Sequence, residues 1–150
     1  MVAYAFEKRH HDAILRGDKP FTLRIAGRKR HARIGEEVQM LEGRAKPKFA
    51  IGECVFRARV LFAERGVVRV LNPSFTPLGD RLWRLFNAAE QGAPQAAEHQ
   101  AKLARLDGFT TWADLVRWHA EQAPPDENGL IDREAIGWAH ATAVAIRRAA

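Results

Sequence analysis

The alternation between Cys54 and Phe62, in which Arg57 and Arg59 point away from an apolar face, is the feature that most constrains this fold. Five positions two residues apart are apolar or small and predict one shared buried face: Cys54, Phe56, Ala58, Val60 and Phe62. A period of two is the signature of a half-buried β-strand. The turn-like residues 63–66 then lead into a second apolar run, Val67 to Leu71, which predicts a hairpin. Shorter strands are predicted at Phe21 to Ile25 and Glu37 to Leu41, after an apolar start at residues 2–6, and together they indicate a small β-barrel.

Segments with the spacing of helices lie before, between and after the predicted strands. A short helix is predicted from Glu7 to Arg16, where Gly17 is a suitable C-terminal stop. After a break in strand pattern at residues 72–77, helices are predicted at Asp80 to Ala89, Gln95 to Leu106 and Trp112 to Gln122, the last with a capping box formed by Thr111 and Asp114. Residues 131–148 fit either a helix or a strand. The expected fold class is therefore α+β.

Length and composition favour one ordinary globular domain. The chain has 150 residues, 47% of them hydrophobic and 28% charged, which argues against disorder and against a second independent fold. It contains no apolar run long enough to span a bilayer and no signal-peptide pattern, so we expect a cytoplasmic protein. A single cysteine, Cys54, excludes an intrachain disulfide and fits a reducing compartment.

A net charge of +6 favours an anionic partner. Much of the positive charge lies between residues 24 and 48, and RNA could bind through a basic loop formed by Arg28, Lys29, Arg30 and Arg33. The same loop could equally be a solvated surface that keeps the protein soluble.

Several enzyme classes do not fit the sequence. The single serine, Ser74, lacks the flanking glycines of a nucleophile elbow. The six histidines form no metal-binding pair with a matched carboxylate, so we predict neither a metal nor a cofactor. His10, on the apolar side of the first predicted helix, is expected to be a packing residue, and Cys54 an inert core residue.

The segment from Gly17 to Arg24 concentrates polar side chains where a helix ends and a strand begins. Because Thr22 and Arg24 are two apart on a strand, they face the same side and can meet one ligand. Lys19 lies just before this strand. Spacing alone fits either an ordinary turn or a site.

This segment resembles the signature of the ASCH domain family. The family pattern Gly-x-Lys-x-x-Glu-x-Arg is matched by Gly17, Lys19 and Arg24, with Thr22 at the glutamate position. The similarity extends through residues 35–38 and 104–109 to about Trp118. It implies a PUA-like β-barrel flanked by helices, in which residues 1–150 form a single ASCH domain with a helical insertion near 79–104.

The threonine is similar to that of the small bacterial ASCH amidohydrolases that remove the acetyl group from N4-acetylcytidine. The resemblance implies that Lys19, Thr22 and a distant acid are catalytic, the acid being Asp107 or else Glu98. It also implies a modified nucleoside substrate bound by Phe21 and Arg24. Thr22 would be the nucleophile, and Lys19 either its base or a charged oxyanion donor. The alternative function is an RNA-binding or weakly ribonucleolytic ASCH domain.

Overall fold

A computed structural model describes residues 2–26 and 30–144. Its α-helices are α1 (His11–Arg16), α2 (Asp80–Ala88), α3 (Ala96–Leu106) and α4 (Trp112–Gln122). Its strands are β1 (Val2–Ala5), β2 (Phe21–Ile25), β3 (Glu37–Leu41), β4 (Lys48–Ala63), β5 (Gly66–Phe75) and β6 (Ile131–Ala143). Two single-turn 3-10 helices, Lys8–His10 and Pro77–Gly79, precede α1 and α2. The α+β class is confirmed.

The described strands form one six-stranded mixed sheet in the order β1-β3-β4-β6-β2, with β5 paired to β4. β1 pairs with β3 in parallel, and every other pair is antiparallel. β1 and β2 are therefore the two ends of this path. No pairing joins them within the described residues, so the predicted closed barrel is not confirmed.

β4 is the central strand and is longer than its sequence pattern predicted. All five of its alternating positions are buried, as predicted, but they belong to two different core clusters. Phe56, Ala58, Val60 and Phe62 pack toward the helices, whereas Cys54 packs in a second cluster with Ile14, Val38, Met40 and Trp138. The register between β4 and β6 shifts between Cys54 and Phe56, and such a bulge re-aims the side chains on either side of it.

The predicted strand break at residues 72–77 is wrong in its position, because β5 continues to Phe75. Asn72 adopts a left-handed φ of 50°, which an asparagine tolerates better than most residues, and the strand accommodates it with a register shift. The ambiguous segment at the C-terminus is a strand as far as Ala143. Its final part, residues 145–148, lies outside the described residues.

α2, α3 and α4 pack in one cluster with the sheet, whereas Ile14 of α1 belongs to the second cluster. Phe86 of α2 lies edge-on to Phe21 of β2 and stacked on Phe56 of β4, with ring centroids 5.2 Å apart in both pairs. α4 begins as predicted, since the Asp114 N–H donates to Thr111 Oγ1 at 3.1 Å. Residues 79–104, predicted to be an insertion, form α2 and most of α3.

Phe86→Ala should lower the free energy of unfolding by about 3–5 kcal/mol, because it removes a fully buried ring that packs on Phe21 and Phe56 and leaves a cavity. Urea denaturation measures this loss. Leu78→Ala is the control, since Leu78 is 56% exposed and should cost no more than about 0.5 kcal/mol. Equal losses in the two variants would contradict this view of the core.

Candidate functional site

A cavity of about 670 Å³ lies between the unpaired edges of β1 and β2. We call this gap the seam. The residues that line it come from both edge strands and their ends, from the α3–α4 turn and from α4, and they include Tyr4, Phe6, Lys19, Thr22, Arg24, Asp107, Phe109, Trp118 and His119. The segment from Gly17 to Arg24 therefore contributes Lys19, Thr22 and Arg24 to a cavity of ligand size, which supports its interpretation as a site.

A tight helix end places Lys19 in this cavity. Gly17 takes the left-handed conformation with φ of 84°, which glycine adopts without the steric penalty of a side chain. The N–H groups of Asp18 and Lys19 then both donate to the carbonyl of Ala13, at 2.8 and 3.1 Å. The chain turns back and enters β2 through Pro20, leaving the Lys19 side chain pointing inward with only 3% exposure.

Asp107 approaches the same point from the far end of the sequence. It follows the last turn of α3, where Gly108 with φ of 95° allows the chain to reverse toward α4. The Lys19 ammonium donates to Asp107 Oδ1 at 2.5 Å and to the Asp107 carbonyl at 2.9 Å. Both side chains are almost fully buried, so this is an ion pair held out of water.

Burial lowers the pKa of Lys19, and this effect outweighs the opposing attraction of Asp107, while Arg24 and Arg9 lower it further. Burial by itself would raise the pKa of Asp107, but Lys19 and His119 hold it below its ordinary value. Asp107 is thus kept ionised, and Lys19 loses its proton more readily than an ordinary lysine. Burial and the charge of Lys19 also lower the pKa of nearby His10 to about 4.

Thr22 and Arg24 face the same side of β2, as their spacing predicted. The Nε of Arg24 donates to Thr22 Oγ1 at 3.2 Å, and its Nη2 donates to the Ala5 carbonyl at 2.8 Å. The guanidinium also lies over the rings of Tyr4 and Phe6, 5.2 and 4.8 Å from their centroids. Arg24 therefore crosses the seam and joins the two strands that the sheet leaves unpaired.

Two predicted site residues lie elsewhere. Phe21 is fully buried against Phe86 in the core and does not line the cavity, because alternation along β2 turns it away from Thr22. Glu98 is exposed on the first turn of α3 and also does not line the cavity. Of the two candidate acids, Asp107 is the one that contacts Lys19.

His119 and Arg133 were not anticipated as members of the site. Arg133 donates through Nε to His119 Nδ1 at 3.2 Å and through Nη2 to the His119 carbonyl at 2.7 Å. Because an arginine N–H can only donate, Nδ1 must accept, and the proton of the neutral ring lies on Nε2. That Nε2 is buried without a hydrogen-bond partner, 3.8 Å from Asp107 Oδ2. Helical spacing places position 119 on the same face of α4 as the buried Leu115 and Val116, but that spacing does not show that its histidine meets Arg133 and Asp107.

The predicted basic loop is described only in part. Arg28 and Lys29 lie outside the described residues. Arg30 is exposed and forms a bidentate pair with Glu36, with two contacts of 2.8 Å, and Arg33 is exposed. Arg30 is therefore partly neutralised by Glu36, and RNA binding through this loop stays a prediction.

Within residues 2–26 and 30–144, no group of three or more His, Cys, Asp or Glu side chains is placed to hold a metal ion. None of the helices in those ranges is long and apolar enough to cross a membrane. Comparisons with protein-family models, with curated proteins and with solved structures found no match. The chemistry of the site must therefore be argued from its own geometry.

Removing one member of the buried pair should destabilise the protein more than removing both. Asp107→Asn leaves the Lys19 charge without its counter-ion and should cost about 3–5 kcal/mol, whereas the double variant Lys19→Met with Asp107→Leu should recover most of that loss. Urea denaturation of the single and double variants measures the coupling. Additive losses would show that the two charges do not depend on each other.

Proposed function

We propose that this chain is an ASCH-type amidohydrolase that removes the acyl group from N4-acylated cytidine. One observation carries the proposal. Lys19, Thr22 and Asp107, which the resemblance implies to be catalytic, line one cavity although 88 residues separate Lys19 from Asp107. The PUA-like fold is part of the same proposal, with the seam as the place where a barrel would close.

The first half of the reaction transfers the acyl group to the enzyme. Thr22 Oγ1 attacks the acyl carbonyl carbon while its proton passes to the neutral amine of Lys19. The C–O bond forms as the carbonyl electron pair moves to oxygen, and Arg24, whose Nε already contacts Oγ1, donates to the resulting oxyanion. Collapse breaks the bond to N4, Lys19 returns the proton to N4, and cytidine leaves.

The second half releases the acyl group as a carboxylic acid. Water attacks the threonyl ester and gives a proton to Lys19, which returns it to the departing Thr22 oxygen. Asp107 orients the Lys19 amine throughout, through its carboxylate and its carbonyl. His119, whose Nε2–H points toward Asp107, supplies a second neighbour for the carboxylate when Lys19 is neutral.

Hydrolysis of N4-acetylcytidine to cytidine tests the proposal. Lys19→Ala and Thr22→Val should each lower kcat/KM at least about 100-fold, since one loses the base and the other the nucleophile. Glu98→Ala is the control and should leave the rate unchanged, because Glu98 does not line the cavity. Absence of turnover by the unmodified protein across acyl chain lengths would refute the proposal.

The pH profile identifies the role of Lys19. As the general base it must be neutral, so kcat/KM should rise with pH through a pKa lower than that of an ordinary lysine. If the ammonium instead stabilises the oxyanion while a carboxylate is the base, the rate should fall through the same pKa. Initial rates between pH 6 and about 10 distinguish these two signs.

A further inference from the structure

The hydrogen-bonding pattern of β2 shows which of its main-chain groups are used. Along an antiparallel pair, alternate residues direct both main-chain groups toward the partner and the residues between them direct theirs away. The Trp138 N–H donates to the Pro20 carbonyl at 3.0 Å, and Thr22 and Arg24 have the same parity as Pro20. The N–H and C=O of Leu23 therefore face away from β6, into the seam.

β1 also has main-chain groups that face the seam, on the opposite side from β2. The Phe6 N–H donates to the Leu41 carbonyl at 3.1 Å. The main-chain groups of Phe6, and of Tyr4 two residues before it, therefore face β3. The main-chain groups of Ala3 and Ala5 consequently face the seam. Two side-chain contacts agree with both assignments: Arg24 donates to the Ala5 carbonyl, and His31 Nε2 lies 3.0 Å from the Ile25 carbonyl.

The direction of the Leu23 main-chain groups explains how Leu23 lines the cavity. The Leu23 side chain is 8% exposed and belongs to the core beneath the helices, yet Leu23 lines the cavity. Its main chain is what faces the space. The seam thus offers an adjacent donor and acceptor at Leu23, directly between Thr22 and Arg24, and a donor at Ala5 across the gap.

Building on the proposed function, we propose that the seam recognises the pyrimidine ring itself, through the N–H and C=O of Leu23 and the N–H of Ala5. Cytidine and its N4-acyl derivatives carry a donor at N4 and an acceptor at N3, both bonded to C4, and this pair complements the C=O and N–H of one residue of an unpaired strand. Substrate choice is then set by main-chain geometry next to Thr22, and amides without this paired edge bind poorly.

Contacts within the seam favour a small planar ligand over an extended peptide. A peptide strand would pair along the whole free edge of β2. Arg24 interrupts that edge, because its guanidinium spans the seam to the Ala5 carbonyl and is held over Tyr4 and Phe6. The remaining volume, about 670 Å³, suits a nucleoside-sized molecule.

Hydrogen exchange of the ligand-free protein tests which main-chain N–H groups of the two strands face the seam. The main-chain amides of Leu23 and Ala5 should exchange at least about tenfold faster than those of Thr22 and Arg24, which neighbour Leu23 on β2 and are directed toward β6. Uniform exchange along β2 would overturn the assignment of its free groups, and with it the proposal.

NMR titration of the wild-type protein with cytidine, which is not consumed, tests recognition. The amide shifts of Leu23 and Ala5 should move most, and those of Thr22 and Arg24 least. 3-Deazacytidine, which lacks the N3 acceptor, and N4,N4-dimethylcytidine, which lacks the N4 donor, should each bind about tenfold more weakly. Equal binding of all three nucleosides, or no response at Leu23, would overturn the proposal.

A variant pair checks the donor on β1. Ala5→Pro removes the N–H that faces the seam, a change that an edge strand tolerates, and should weaken cytidine binding about tenfold, whereas Ala5→Val keeps the N–H and should not. Unchanged binding by a folded Ala5→Pro variant would overturn the Ala5 contact. Binding at Leu23 without hydrolysis of N4-acetylcytidine would refute the proposed activity alone, and hydrolysis without a response at Leu23 would refute this inference alone.

Discussion

Removing the Lys19–Asp107 pair from water costs several kcal/mol for each charge, and only their close contact offsets that cost. The contact in turn fixes the surrounding structure, because it ties the Gly17 turn at the start of β2 to the turn between α3 and α4. Arg9 reinforces the same junction by donating to the Gly108 carbonyl at 3.0 Å. Burial lowers the pKa of Lys19 against the attraction of Asp107, whereas the contact with Lys19 keeps Asp107 ionised.

The sheet leaves open the seam above this pair. Elsewhere in proteins an unpaired strand edge is a liability that invites association. In this structure the two edges face each other across a cavity, Arg24 bridges them, and the groups that remain free are confined to a narrow space. An open seam thus gives the protein a polar main-chain surface next to buried charges, which a fully closed sheet would not provide.

Local rules predicted much of this structure correctly. The alternation in β4, the glycine stop after α1, the Thr111 cap and the shared face of Thr22 and Arg24 all depend on interactions within a few residues. Prediction failed where distant segments decide the outcome. Cys54 changes cluster where the register between β4 and β6 shifts. Phe21 lies inside the signature, but local alternation already turns it away from Thr22, and α2 covers that side of β2.

The sequence by itself determined that Thr22 and Arg24 share one face of a strand and that Lys19 lies at the helix-to-strand junction just before it, since these relations depend only on spacing within a turn and a strand. Tertiary structure decided which acid meets the lysine. Asp107 and Glu98 both belong to the α3 region, and only the packing of that helix end against the Gly17 turn brings Asp107 to Lys19. It also added His119 and Arg133, whose contact joins α4 to β6. The periodicity of each segment places its residue on the buried face, but only the packing of α4 against β6 brings the two together.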